Sequence, residues 1–158
     1  MFSVAVICTA NRCRSIMAHA ILVNEARTRS LSIDIYSAGI RDFSDQPPLI
    51  ETSSTCLHYN TPPPKLRPTW VGELPLKSID RFLVMEQAHA DALESEFGIP
   101  ANKISLLGEF DPKRRGTEID DPFFSYSEQT YRNSYELIRD CVVEYLENPE
   151  LRRLSGSK

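Results

Sequence analysis

Four short apolar runs punctuate the chain, each followed by turn-rich or helix-spaced sequence. SVAVI (residues 3–7) is almost unbroken in apolar character, as in a buried strand. LSIDIYSAG (31–39) alternates apolar with polar positions and ends at a glycine turn, IDRFLVM (79–85) is β-rich, and KISLLGEF (103–110) is short and apolar. Between them the period changes. IMAHAILVNEA (16–26) predicts a helix, and EQAHADALESEFG (86–98) has helical spacing closed by a glycine. The segment 127–148 places Tyr131, Tyr135, Ile138, Val142 and Tyr145 three or four residues apart, which predicts an amphipathic helix with Ser127 as its N-cap and Pro149 as its stop. The remainder, LRRLSGSK, reads as a frayed tail. Residues 41–78 are broken by QPP, TPPP and RPT, so helix pieces joined by proline-rich turns are expected there, with PPPKLRP as a stiff connector.

Strands alternating with helices predict an α/β domain on a parallel sheet, spanning residues 1–149 with a tail at 150–158. Such sheets bind ligands beyond the carboxyl ends of their strands. Eight residues occupy that position after the first run: CTANRCRS, residues 8–15.

Composition narrows the choices. The chain has 158 residues, enough for one domain with a real core. A formal net charge of −4 argues against a nucleic-acid partner. No apolar run approaches a membrane span, and MFSVAVIC lacks the charged start of a signal peptide. Four cysteines at irregular spacing form neither a disulfide framework nor a closed zinc pattern. Reduced thiols in a cytoplasmic protein are expected, Cys56 and Cys141 among them.

A thiol at a strand-to-helix turn is stabilised as thiolate by the surrounding N–H groups and by nearby cations. The five residues between Cys8 and Arg14 (Thr9, Ala10, Asn11, Arg12 and Cys13) can curl until their amides converge on a tetrahedral anion. Arg14 can close that ring with a fork that matches phosphate. Ser15 can donate to the thiolate or cap the helix, and Asn11 suits a strained loop. The alternative is a buried cysteine beside a surface arginine. Phosphoryl transfer to sulfur also needs an acid for the leaving oxygen. Two Asp-Pro pairs offer one: Asp111 precedes a solvated KRRG run, whereas Asp121 precedes Phe123 and Phe124, which could wall a slot for an aromatic ring.

CTANRCRS after SVAVI, with MAHAI behind it, resembles the phosphate loop of the low-molecular-weight protein tyrosine phosphatases. SAG (37–39), IDRFLVMEQAHADAL (79–93) and DPFF (121–124) extend the resemblance, and only residues 41–78 match poorly. It implies one domain with a four-stranded parallel sheet flanked by helices on both faces, of the flavodoxin-like type. It implies Cys8 as nucleophile, Arg14 as phosphate clamp and Asp121 as general acid and then base, with phosphate held by residues 9–13 and Ser15. Phe43, Phe123 and Phe124 would line the substrate cleft. No metal or organic cofactor is called for; the substrate would be a phosphotyrosine protein, and the enzyme a monomer or weak dimer with a mildly acidic optimum. Cys13 would form a reversible disulfide with Cys8 under oxidation. Arg12 departs from the family, whose tyrosine-specific members tend to have an aliphatic residue there and whose protein-arginine phosphatases have a threonine. It could attract acidic substrates, narrow the slot or point to solvent. Protein-arginine phosphatase, arsenate reductase and a non-catalytic phosphate-binding module are the rival readings. His19, His58 and His89 are read as surface or core residues without partners, and Trp70 as packing.

Overall fold

The computed structural model describes residues 1–65, 67–125, 127–149 and 151. Four strands, β1 (Phe2–Cys8), β2 (Ile33–Gly39), β3 (Arg81–Val84) and β4 (Ile104–Leu106), form one sheet in the order β2-β1-β3-β4. All neighbours are parallel. The helices are α1 (Arg14–Thr28), α2 (Ile50–His58), α3 (Gln87–Phe97) and α4 (Glu128–Leu146). Each predicted strand and helix is present, with ends moved by a few residues, and the doubly wound architecture is the expected one.

The unbroken apolar character of β1 has a simple cause: it is central and covered on both faces. Val4, Val6 and Cys8 face a core shared with α1, α2 and α4, while Ala5 and Ile7 face one shared with α3. The five α4 residues predicted to face inward are all buried. Ser127 caps α4 by accepting from the Thr130 N–H. In α3, Gly98 takes the left-handed conformation (φ 67°) that ends the helix. The proline-broken segment contains α2 and two short 3₁₀ turns, Val71–Glu73 and Leu76–Ser78. Trp70 packs edge-on against Phe97 and donates to the Ile40 carbonyl.

Two expectations need correction. The fourth apolar run is mostly not strand: β4 stops at Leu106 and a 3₁₀ turn, Leu107–Phe110, follows. There the backbone of Gly108 lies so close to the Thr117 carbonyl that a Cβ would come within 1.5 Å of its oxygen, so the strand cannot continue straight. The expected tail also begins packed rather than frayed, because Leu151 is buried in the α1/α4 core. The rest of the expected tail, residues 150 and 152–158, lies outside the described residues. No helix among the described residues is long and apolar enough to cross a membrane.

Candidate active site

The loop after β1 rests on the end of β2. Ladder bonding continues past Cys8: the Ile40 N–H donates to the Cys8 carbonyl (3.0 Å) and the Arg41 N–H to that of Thr9 (2.9 Å). Gly39 lies directly beneath the loop, where a Cβ would meet the Ala10 carbonyl carbon at 2.7 Å. Asn11 then turns the chain with φ 56°, a left-handed conformation that asparagine tolerates better than most residues. Helix α1 starts at Arg14, two residues earlier than the apolar pattern predicts, and Cys13 at its N-cap makes no side-chain cap. The first N–H groups of α1 therefore lack a side-chain partner at the loop.

The hydrogen bonds around Cys8 fix one another's direction. The Thr69 N–H can only donate, so the Asn11 atom it meets at 2.8 Å is the carbonyl oxygen Oδ1. Asn11 Nδ2 must then donate to Ser15 Oγ (2.7 Å). That leaves the Ser15 proton for Cys8 Sγ, 3.0 Å away. The Asn11 backbone N–H points at the same sulfur (3.3 Å). Two donors thus converge on the buried Cys8 sulfur.

Arg14 is almost completely buried, at 1% exposure. Its Nη1 donates to the Glu86 carboxylate and to the Ile119 carbonyl (2.7 Å), and its Nη2 reaches Thr9 Oγ1 (3.4 Å) and Asp121 Oδ2 (3.7 Å). The Nε has no hydrogen-bond partner among the described residues. A buried guanidinium with a donor left over is poised for an anion. Asp121 comes to this place because the Ile119 N–H donates to the Met85 carbonyl beyond β3 (2.9 Å), which lays the segment beside the clamp. Its Oδ1 accepts from the Phe123 N–H (3.0 Å). Asp120 beside it is exposed. Asp111, the other candidate acid, is buried near Cys141 on α4 and accepts from the Lys113 N–H.

Two residues absent from the sequence-based list hold the cradle. Glu86 is the ion-pair partner of Arg14. His89, read as partnerless, is buried and bonds on both sides: Nδ1 accepts from the Glu86 N–H (3.1 Å), so Nε2 carries the proton toward Thr9 Oγ1 (2.9 Å). Burial, reinforced by the Arg14 charge, lowers the imidazole to about 4 and keeps it neutral. His19 also has a partner, Ser37 Oγ, at 2.8 Å. Glu86 and His89 left only a faint trace in the sequence: they open the helix after β3, the parallel neighbour of β1, so their loop lies next to the cysteine loop.

The remaining expected residues separate. Arg12 does not float in solvent; its Nε donates to the Pro47 carbonyl (3.0 Å), tying the loop to the segment before α2. Cys13 is buried against Thr52, and burial pushes its thiol well above the usual range. Phe123 and Phe124 meet edge to face at 5.3 Å, with Phe124 77% exposed. Phe43 is half-buried, and its carbonyl accepts from the Gln46 N–H (2.9 Å).

Chemically, the arrangement offers a donor-supported sulfur, a buried cation with a spare donor and a carboxylate at its edge. Comparison with known proteins shows what the chain is similar to. The sequence model of the low molecular weight phosphotyrosine protein phosphatase family matches residues 3–154. The chain is 31% identical over 136 residues to the low molecular weight protein-tyrosine-phosphatase PtpB of Staphylococcus epidermidis, covering 84% of this chain and 91% of that protein. It is 27% identical over 148 residues to a protein-arginine-phosphatase of Bacillus subtilis, covering 87% and 93%. Among solved structures, a low molecular weight phosphotyrosine phosphatase from Vibrio cholerae O395 superposes with a TM-score of 0.82 at 25% identity, over 93% of this chain and 97% of that one.

Proposed function

The chain belongs to the low molecular weight phosphotyrosine protein phosphatase family, and from that premise we propose that it hydrolyses protein phosphotyrosine through a cysteinyl-phosphate on Cys8. The observation that carries the reading is the directed chain Thr69–Asn11–Ser15–Cys8, which ends with a proton on the sulfur's side of Ser15. In the first step the Cys8 thiolate attacks phosphorus in line. Asp121 gives its proton to the leaving phenolic oxygen. In the second step Asp121 takes a proton from water, which displaces the Cys8 sulfur and releases inorganic phosphate. Arg14 and the loop N–H groups hold the equatorial oxygens throughout, so most of the catalysis is positioning and charge stabilisation.

Tyrosine is preferred over arginine as the substrate side chain because the aromatic pair Phe123–Phe124 follows Asp121 directly and leaves an apolar ring exposed. The similarity to a protein-arginine-phosphatase supports the alternative substrate on the same machinery. The test is phosphate release from phosphotyrosine, phosphoserine and phosphoarginine peptides. Phosphotyrosine should be the best substrate, Cys8→Ser should abolish turnover, and Asp121→Ala should reduce kcat by about 10²–10⁴. Preference for phosphoarginine would overturn the substrate assignment while leaving the nucleophile in place.

A further inference from the structure

Lys65 sits in the proline-rich stretch 62–68, which the sequence alone marks only as a connector. Its ammonium turns inward. It donates to the Ser37 carbonyl on β2 (2.8 Å) and to Thr69 Oγ1 (2.8 Å). Thr69 is the residue whose N–H orients Asn11, and its carbonyl accepts from the Gly39 N–H (2.8 Å). Lys65 therefore clamps the start of the hydrogen-bond chain that ends on the Cys8 sulfur.

We propose that Lys65 is a positioning residue for the nucleophile, and that its positive charge, not only its hydrogen bonds, sustains the Cys8 thiolate. The catalytic consequence rests on the phosphatase reading; the effect on the thiol does not. Burial holds the ammonium down to about 8, while the Cys8 sulfur and Glu73 act in the opposite direction. His19, next to Ser37, is lowered to about 4 by burial and by Lys65 itself, and so adds no charge. Arg14, which also interacts with the sulfur, shares its charge with Glu86 and Asp121, and Cys13 is held as a thiol by burial. Among the described residues, Lys65 is the cation in this group without a carboxylate in salt-bridge contact, since its bonds go to a carbonyl and a hydroxyl. A cation that stays unneutralised in a partly dry site acts strongly on a nearby anion.

The deciding experiment is the rate of Cys8 alkylation by iodoacetamide at pH 6, read by peptide mass spectrometry on the intact protein, for Lys65→Met, Lys65→Gln and Lys65→Arg. Iodoacetamide is uncharged, so a change reports the thiolate and not attraction of the reagent. Lys65→Gln keeps a donor without the charge. It and Lys65→Met should react about tenfold more slowly than wild type, and Lys65→Arg within about threefold of it. Wild-type reactivity in Lys65→Gln would overturn the proposal and leave Lys65 a structural strut. If Lys65→Met fails to fold, the Gln and Arg variants decide alone. A wild-type protein that releases no phosphate from any phosphopeptide, yet shows this alkylation pattern, would sink the phosphatase reading and keep the Lys65 assignment.

Discussion

Asn11 combines a backbone requirement with a bonding one. Its φ of 56° places it where a Cβ is unwelcome, and its amide joins Thr69 to Ser15. The two roles separate by substitution. Asn11→Gly keeps the turn and loses the bridge, whereas Asn11→Ala loses both. In urea denaturation the alanine variant should be less stable than the glycine one by about 1–2 kcal/mol. Both should show a similarly reduced kcat, because Ser15 is no longer directed at Cys8; full activity in Asn11→Gly would show that the bridge is irrelevant. The sequence disclosed Asn11, Cys8, Arg14 and Ser15 because they fall within eight successive residues and their chemistry is local. It did not disclose Glu86 and His89, which reach the loop from 72 and 80 residues away. It did not disclose Lys65 either, since a lysine among prolines reads as solvated until the fold turns it inward.

The contact between β2 and the loop is as tight as backbone permits. Gly39 pairs with Cys8 across β1 and β2, and a side chain there would drive into the Thr9 and Ala10 backbone. Gly39→Ala should thus leave far-UV circular dichroism near wild type while lowering kcat/KM at least tenfold, about 1.4 kcal/mol of transition-state stabilisation. An unchanged kcat/KM would mean that the loop can ride upward without losing its geometry. Strands and helices were legible where one periodicity ran long enough, as in α4 or around β1. The run 103–110 was not, because its apolar content continues past Leu106 while Gly108 packs against Thr117, a partner that only the folded chain supplies. The segment 41–78 showed its prolines but not the position of α2, which is held in part by Thr52 donating to the Arg12 carbonyl (2.8 Å).

Acid should weaken the whole fold through two histidines. His19 and His89 are each lowered to about 4 by burial, against about 6.5 in the unfolded chain. Between those values the unfolded state binds more protons than the folded one. Stability is therefore full above about pH 6.5 and declines as pH falls toward 4, by as much as roughly 3 kcal/mol per histidine. Urea midpoints measured from pH 7 to 4 should fall, and the slope should be shallower in His19→Gln and in His89→Gln; an equal slope in both variants would place the acid sensitivity elsewhere. The same molecule divides its chemistry unevenly along the chain. On the proposed mechanism, nucleophile, clamp and cradle lie within the single β1–loop–α1 unit, whereas Asp121 arrives from a separate segment, its carboxylate 3.7 Å from Arg14. In evolutionary terms the two halves can be inherited apart. One base change in the Asp121 codon, giving asparagine, would remove the proton donor and spare the cradle, so on the proposed mechanism a descendant could retire as a catalyst and persist as a receptor for phosphorylated proteins.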